Sequence, residues 1–277
     1  MAASTYIFDS DRDKVRLIQV TDSHLFKDEK GELLGINTLA SFEQVLSEIL
    51  DSGYEYDLVL ATGDLVQDSS DEGYHRFCRS IRKLEKTVFW IPGNHDFQPK
   101  MFDILNRSNG NIEPKKHILA GKHWQILMLD SQVFGVPHGQ LGQYQIDWLE
   151  AKLRDYPDRY ALIVLHHHVI STNSAWLDQH NLRNMQEFAN TLSPFRHVKG
   201  ILCGHIHQQV DDQWKGYQIM ATPSTCIQFK PDSNAFSLDL LQPGWREIEL
   251  HNEGTITTRV RRIQKASFLP NTHEEGY

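Results

Sequence analysis

Asp64 directly follows a short apolar segment, and this position makes its carboxylate the first candidate for chemistry. Residues 57–61 read Asp-Leu-Val-Leu-Ala, which is typical of a buried strand. In open α/β sheets, side chains that follow a strand lie in the crevice where ligands bind. Because a carboxylate has two oxygens, Asp64 in this crevice has the chemistry needed to bridge two metal ions.

The loop after the first predicted strand carries a second set of metal-binding side chains. Residues 15–20 form that strand, and Asp22 and His24 follow it one residue apart. Both side chains can reach a common ion from a loop, because loop residues need not alternate between two faces as strand residues do. Asp and His are also frequent in surface loops, so this pair gains its weight from the neighbouring motifs.

A third strand end carries the tetrapeptide Gly-Asn-His-Asp. Residues 88–91 form the strand, and Asn94 and His95 lie on the tight turn that follows it. Asn94 offers a neutral oxygen ligand, whereas His95 on the same turn points elsewhere and suits a proton donor. Asp96 has two interpretations: it orients His95, or it is a carboxylate at the start of the next helix.

Two later strand ends supply imidazoles. Residues 161–165 lead into three consecutive histidines, which cannot all face one ion from an extended backbone. We expect the first of them, His166, to be a metal ligand, and the roles of the other two stay open. Residues 198–203 lead into Gly-His-Ile-His, in which His205 and His207 can bind adjacent ions.

The elements that position these side chains follow a strand-and-helix alternation as far as the segment 198–203. Apolar spacing predicts five helices, which lie between a cap at Asn37 or Thr38 and Gly53, at 70–85, near 101–105, through 146–153 and at 181–192. Residues 124–129 form a further strand. The later strands lack intervening helices and predict a second, largely antiparallel sheet, from residues 218–221, 235–241, 246–251 and 255–263, with turns at 243–244 and 252–254.

One long loop, residues 130–140, joins a predicted strand to a predicted helix. It contains Phe134, Pro137 and His138. Its length is sufficient to reach over a site.

The composition is that of an ordinary soluble globular protein. With 277 residues, 40% hydrophobic and 23% charged, the chain can build one large domain. Since no repeat or linker divides it, we expect an irregular lead-in over 1–14, one domain over 15–263 and a tail over 264–277. The formal net charge of −8 argues against a nucleic-acid partner, although bound cations would still allow a small anionic substrate.

The cysteines and the N-terminus both favour a cytoplasmic protein. The chain has three cysteines without CxxC spacing, which suits a reducing compartment better than a disulfide framework. Residues 1–14 contain no apolar signal segment, and no apolar run approaches transmembrane length. We therefore expect no membrane partner, and the oligomeric state is not predicted.

The strand-end motifs, taken in this order, resemble the calcineurin-like metallophosphoesterase superfamily over roughly residues 15–225. The resemblance implies an α/β fold, a single-domain four-layer α/β/β/α sandwich with a dinuclear metal site. It implies that the first metal is held by Asp22, His24, Asp64 and His207, and the second by Asp64, Asn94, His166 and His205. His95 matches the catalytic histidine of the family. The side chains expected to contact the substrate are His24, Asn94, His95 and His207.

The implied chemistry is phosphoester hydrolysis by two metal ions. Ions about 3.5–4 Å apart can share a water, lower its pKa and hold the phosphoryl oxygens during in-line attack. Asp64 contributes to catalysis as the bridging ligand, and His95 as the acid that protonates the leaving alkoxide. Asp, Asn and His ligands without thiolate suit Mn, Fe, Zn or Co.

Further motifs are similar to those of the bacterial class III 3′,5′-cyclic-AMP phosphodiesterases. They are Phe-Gly-Val-Pro-His-Gly (134–139), Trp-Leu-Asp-Gln-His (176–180), Leu-Arg-Asn (182–184), Cys-Gly-His-Ile-His-Gln (203–208) and Ala-Thr-Pro-Ser-Thr-Cys-Ile-Gln-Phe-Lys-Pro (221–231). The resemblance implies hydrolysis of cyclic AMP to 5′-AMP with two divalent or mixed-valence ions, iron and/or manganese. Val169 replaces the usual proline, which affects the local turn and not the ligand.

Two alternatives stay open at this point. The same site would serve a different phosphodiesterase, such as a glycerophosphodiesterase, or a broad phosphomonoesterase. A scaffold protein on a decayed fold of this type would have lost ligands or the catalytic histidine, whereas this chain keeps all of them. The native metal pair, the acceptance of cyclic GMP and the recognition of adenine are not visible in the sequence.

Overall fold

The computed structural model describes residues 5–272, and two central β-sheets carry the predicted site. Six strands form one sheet, in the order β17 (Ile256–Arg262), β16 (Gly244–His251), β2 (Lys14–Val20), β5 (Leu58–Ala61), β6 (Thr87–Trp90) and β7 (Ile112–Glu113). Seven strands form the other, in the order β1 (Tyr6–Phe8), β8 (His117–Ala120), β9 (Trp124–Met128), β10 (Tyr160–Val164), β11 (Val198–Cys203), β13 (Tyr217–Ala221) and β12 (Val210–Trp214).

Five α-helices and two small sheets complete the described chain. The helices are α1 (Thr38–Asp51), α2 (Asp71–Ile81), α3 (Gln98–Asn106), α4 (Gln143–Asp155) and α5 (Met185–Leu192). The small sheets pair β3 (Glu32–Leu33) with β4 (Ile36–Asn37), and β14 (Gln228–Phe229) with β15 (Leu238–Asp239). None of the helices in this part of the chain has the length and apolarity needed to cross a membrane.

The side chains of the central strands separate four layers. Leu58 and Leu60 of β5 belong to the apolar cluster between the two sheets, whereas Val59 and Ala61 belong to the cluster beneath α1, α2 and α3. A third cluster joins the seven-stranded sheet to α4 and α5. Strands buried on both faces read as continuous apolar runs, which is why the sequence revealed them. The predicted α/β/β/α sandwich is confirmed.

Helix caps match local sequence signals. The Asn37 side chain accepts a hydrogen bond from the Ala40 N–H at 2.7 Å, so the predicted start of α1 is confirmed. The Ser70 hydroxyl caps α2 in the same way. The helix predicted over 181–192 begins only at Met185, because Leu182 forms a β-bridge with Gly139.

The prediction that the late strands form a second sheet of their own is wrong. β13 pairs in parallel with β11 in the seven-stranded sheet, whereas β16 and β17 form a hairpin that joins β2 in the six-stranded sheet. The turn at 252–254 is confirmed by the bond from the Gly254 N–H to the His251 carbonyl. The turn expected at 243–244 is wrong, since Gly244 is the first residue of β16.

Residues 6–8 and 264–271, near the two ends of the described chain, are more ordered than expected. β1 lies inside the predicted irregular lead-in and pairs in parallel with β8. At the other end, the N–H groups of Gln264 and Lys265 donate to the Glu48 carboxylate, and the Asn271 N–H donates to the Leu34 carbonyl. The last five residues of the predicted tail, 273–277, lie outside the described residues. The domain bounds 15–263 stay a prediction.

Candidate metal centre

Sheet topology brings the predicted ligands to one place. β2, β5 and β6 are parallel neighbours in one sheet, and β10 and β11 are parallel neighbours in the other. Parallel strands end at the same sheet edge, so their loops converge. The loops carry all of the predicted site residues, which are Asp22 and His24 after β2, Asp64 after β5, Asn94 and His95 after β6, His166 after β10, and His205 and His207 after β11.

Backbone hydrogen bonds lock these loops together. The N–H groups of Asp22 and His24 donate to the carbonyls of Gly63 and Asp64, each at 3.0 Å. The Gly204 N–H donates to the His166 carbonyl at 3.1 Å. The loops that carry the metal-binding side chains are therefore held together by backbone hydrogen bonds.

Five of the seven predicted metal ligands have left-handed backbone conformations. Their φ angles are +54° for Asp22, +46° for His24, +50° for Asp64, +66° for His205 and +49° for His207. A residue with a Cβ seldom adopts this region, at a cost of roughly 1–3 kcal/mol each. Such strain collects at functional sites, where the surrounding structure holds it in place.

One group of donor atoms consists of Asp22, His24 and His207, whose ligand atoms all lie within 4.8 Å of one another. Asp22 Oδ2 accepts hydrogen bonds from the Thr21 hydroxyl at 2.6 Å and the His205 N–H at 3.1 Å. Its other oxygen, Oδ1, is buried without a hydrogen-bond partner among the described residues. Oδ1 lies 3.2 Å from His207 Nε2 and 3.9 Å from His24 Nε2.

The second group consists of Asp22, Asp64 and His166. His166 Nε2 lies 3.3 Å from Asp64 Oδ2 and 3.3 Å from Asn94 Oδ1. Asp64 Oδ1 accepts a hydrogen bond from the His95 N–H at 2.8 Å. Because Asp22 belongs to both groups, the two groups are adjacent and share a carboxylate.

The hydrogen bonds of these histidines fix which ring nitrogen faces the centre. His166 Nδ1 lies 2.7 Å from the Thr62 carbonyl, and His207 Nδ1 lies 3.0 Å from the Ile227 carbonyl. A carbonyl only accepts, so both Nδ1 atoms carry a proton, and in the neutral imidazole each Nε2 presents a lone pair to the centre. His24 Nε2 lies 3.3 Å from His207 Nε2, while His24 Nδ1 is bonded to the Gln67 side-chain oxygen. Facing lone pairs repel unless a cation lies between them, so these residues fit divalent metal ions.

The pKa shifts favour the same conclusion. Burial alone lowers the pKa of His166, but the Asp64 and Asp22 carboxylates outweigh burial and raise it to about 9. Burial lowers the pKa of His24 to about 3, and burial with neighbouring imidazoles lowers the pKa of His205 well below its usual value. The carboxylates thus favour positive charge at the centre, while burial keeps His24 and His205 neutral.

His205 and the histidine next to His166 form a third group. The ligand atoms of His166, His167 and His205 lie within 4.8 Å of one another. The Nε2 atoms of His167 and His205 are buried without a hydrogen-bond partner in the described part of the chain. His167 Nδ1 lies 2.8 Å from the Ser131 hydroxyl. His167, whose role the sequence left open, is therefore a further donor beside the predicted second-metal set.

His95, like Asn94, is less buried than the other six predicted ligands. His95 is partly exposed, and its ring lies edge-on to His24 with 5.1 Å between the centroids. His95 also forms a donor group with His24 and Asp64. Its position at the open side of the centre suits contact with a substrate, and its role as the acid stays a prediction.

Asp96 is buried and holds the turn in place. It accepts hydrogen bonds from the N–H groups of Leu65, Val66 and Gly93 and from the Tyr74 hydroxyl. The helix cap is Phe97, so the interpretation of Asp96 as a helix-start carboxylate is wrong. Asp96 ties the turn after β6 to the loop after β5.

Sequence reasoning missed the side chains that orient the ligands. Gln67 follows Asp64 by three residues and fixes His24, while the Ile227 carbonyl fixes His207. Both contacts depend on loops that meet only in the folded chain. The motif at 221–231, which contains Ile227, was the available signal.

Comparison with known proteins gives a match to one family and relatives that are similar over nearly the whole chain. The model of the calcineurin-like phosphoesterase family matches residues 15–209. A Haemophilus influenzae protein named 3′,5′-cyclic adenosine monophosphate phosphodiesterase CpdA is 62% identical over 274 residues, 99% of each chain. The protein of that name from Escherichia coli K12 is 50% identical over 264 residues, 95% of each chain.

Solved structures share the architecture. A dimetal phosphatase from Danio rerio superposes with a TM-score of 0.59 at 14% identity, covering 90% of this chain and 99% of the other. Purple acid phosphatase PPD1 from yellow lupin gives a TM-score of 0.62 at 12% identity, covering 95% and 54%. At these identities the likeness concerns the fold.

Proposed function

The chain belongs to the calcineurin-like phosphoesterase family, and we propose that it hydrolyses 3′,5′-cyclic AMP to 5′-AMP at the centre described above. The observation that carries this proposal is the pair of adjacent buried donor groups that share Asp22. The full-length relatives named for this reaction support the choice of substrate.

The proposed ligand sets are those of the family pattern, in which Asp64 rather than Asp22 is shared. Asp22, His24, Asp64 and His207 would hold one divalent ion, and Asp64, Asn94, His166 and His205 would hold the other; Asp64 lies in one donor group with His24 and in another with His166. When bound, the two ions activate a water and withdraw charge from the phosphoryl oxygens. We propose iron and/or manganese as the metals, since the ligands are carboxylate, amide and imidazole without thiolate.

The chain's own residues orient the substrate and move the proton. His24, Asn94 and His207 border the phosphate, and His95 lies at the open side of the centre. Water attacks phosphorus and gives up a proton to solvent, the bond from phosphorus to the ribose 3′-oxygen breaks, and an imidazole N–H of His95 protonates that oxygen. His95 then regains its proton from solvent. The strained, interlocked loops keep these groups in position, so little reorganisation is needed during the reaction.

The cytoplasm is the proposed compartment. Cys78, Cys203 and Cys226 are all free and buried, which agrees with a reducing environment. The net charge of −8 would repel an anionic substrate such as cyclic AMP. Bound cations would reverse the sign of the field at the site and remove this conflict.

Product identification with defined metals tests the proposal. Protein stripped of metal with a chelator should be inactive, and iron or manganese should restore hydrolysis of cyclic AMP to 5′-AMP rather than 3′-AMP. Glycerophosphodiesters and aryl phosphomonoesters serve as competing substrates. Higher kcat/KM on either of them than on cyclic AMP would favour the alternative phosphoesterase.

A further inference from the structure

The loop between β9 and α4 is fixed to the centre at its base. The Gln132 side-chain amide donates to the carbonyls of Gly93 at 2.6 Å and Asp96 at 2.5 Å, on either side of Asn94 and His95. This loop is therefore attached to the turn that carries the proposed acid.

The other arm of the loop contacts the second side of the centre. Gly139 packs so closely on the His167 ring that a Cβ at this position would overlap it. A β-bridge joins Gln132 to Gly139, and the Gln140 N–H donates to the Ser131 carbonyl at 3.0 Å. Residues 133–138 thus form a closed tip next to the segments that carry His95 and His166.

An aromatic ring stands out from this tip. Phe134 is 77% exposed, although it is one of the large apolar side chains that normally lie inside. Its ring centroid lies 6.0 Å from that of Phe97, which follows His95 by two residues and is held by the bond from its N–H to the Tyr74 hydroxyl. Phe97 supports Phe134 on one side and leaves most of the ring open.

We propose that Phe134, supported by Phe97, is the stacking platform for the purine base of the substrate. This inference rests on the proposed function. A cyclic nucleotide whose phosphate lies at the metal centre must place its base beside that centre, and this tip is attached to two of the centre's loops. Stacking on an aromatic ring is favourable for every base, since each has a π-face.

The platform makes a specific prediction about what is recognised. Stacking depends on the area of the base and not on its hydrogen-bond donors and acceptors. Phe134 should therefore strengthen the binding of purine nucleotides relative to phosphates that have no base. It does not by itself distinguish adenine from guanine. Gly135 next to Phe134 has a φ of +79°, which sets the direction of the tip.

Product inhibition separates the base from the phosphate. The inhibition constants of 5′-AMP and of ribose 5-phosphate would be measured against hydrolysis of bis(p-nitrophenyl) phosphate. Phe134→Ala should weaken inhibition by 5′-AMP roughly 5- to 20-fold, the lower range for loss of base stacking. Inhibition by ribose 5-phosphate should stay unchanged. Phe134→Trp should restore 5′-AMP binding, and Phe134→Leu should not.

Tyr144→Ala is the matched control, since Tyr144 is an aromatic residue of similar exposure, 68%, on α4. Equal weakening for both inhibitors in Phe134→Ala would mean a distorted loop and would overturn the platform. If Tyr144→Ala weakened inhibition by 5′-AMP and Phe134→Ala did not, the platform would be overturned too. If the wild-type protein failed to hydrolyse cyclic AMP, the proposed function would be wrong, whereas normal hydrolysis with an unaffected Phe134→Ala variant would refute only the platform.

Discussion

The backbone N–H of His95 donates a hydrogen bond to Asp64 Oδ1 at 2.8 Å, so the proposed bridging ligand also holds the proposed acid. Asp64 Oδ2 faces His166 Nε2 on the other side. One carboxylate therefore connects the turn after β6 with the histidine after β10.

Asp64→Ala should lose both metals together and abolish turnover. The substitution removes the carboxylate that we propose belongs to both ligand sets, so the positive charge of both ions would be less well compensated. Metal analysis and cyclic AMP hydrolysis check this outcome, with circular dichroism to confirm that the fold persists. Asp147→Ala, an exposed carboxylate on α4, is the control. A variant that kept two equivalents of metal would contradict the bridging role.

Gly93→Ala should lose metal without removing any ligand. A Cβ on Gly93 would overlap Asp64 Oδ1 and lie 2.4 Å from the Asp64 backbone N, so the carboxylate and the loop that carries it have to move. Gly142→Ala is the control, because a Cβ there meets nothing within 4 Å. Metal stoichiometry measures the difference, and equal metal content in both variants would show that the close packing around Asp64 is not required.

His166→Ala should mainly affect metal binding, whereas His168→Ala should mainly affect stability. His166 faces two carboxylates, so its loss should reduce metal content and activity strongly. His168 is buried, with Nε2 3.9 Å from Asp178 Oδ1, and its loss should lower thermal stability while most of the metal stays bound. Metal content and melting temperature are measured for both. A larger loss of metal in His168→Ala than in His166→Ala would refute the assignment of His166 as a ligand.

His95→Ala should keep its metals and hydrolyse cyclic AMP roughly 10²- to 10⁴-fold more slowly. The ribose 3′-oxygen is a poor leaving group and needs a proton. A p-nitrophenolate leaves without one, so the deficit on bis(p-nitrophenyl) phosphate should be smaller. Equal deficits on both substrates would leave only an electrostatic role for His95, and loss of metal would make it a ligand.

His117 should make the fold sensitive to acid. Burial lowers the pKa of His117 to about 4, despite the opposing bond from Nε2 to the Gln125 side chain. Between pH 6.5 and 4 the unfolded chain binds a proton that the folded chain does not, so stability falls as the pH falls. Wild-type protein should lose roughly 1–3 kcal/mol more than His117→Gln between pH 7 and 4.5.

Urea unfolding at the two pH values measures that difference for His117. His123→Gln removes an exposed histidine nearby and should behave like wild type. A wild-type loss no larger than that of His117→Gln would show that His117 is not the group responsible.

Strand ends were predictable where the strands are buried on both faces. Leu58–Ala61 is continuously apolar, so the position of Asp64 after a strand followed from local sequence. β12 was missed because Asp211, Asp212 and Gln213 are exposed and polar. That strand is held by pairing with β13 and by the buried Arg246, which donates to Asp211 at 2.5 Å.

Pairing partners were not predictable for the last hairpin. The alternating pattern of β16 and β17 indicates strands, but nothing local specifies that β16 lies beside β2. The same limit applies at the site. Ligand types followed from strand ends, whereas the contacts of Gln67 and His167 depend on which loops meet in space.

The pairing of β16 with β2 also has a consequence for how the protein is made. β2, whose end carries Asp22 and His24, is paired on one side by β5 and on the other by a strand near the end of the chain, and the bridge from Lys14 to Glu249 joins residues 235 positions apart. A ribosome adds roughly 5–20 residues per second, so tens of seconds separate the synthesis of these strands. During that time β2 has an open edge, which is a site for aggregation and for chaperone binding. The metal centre takes its first ligands from the end of β2, an early strand, but the sheet that contains β2 is complete only when the last hairpin has been translated.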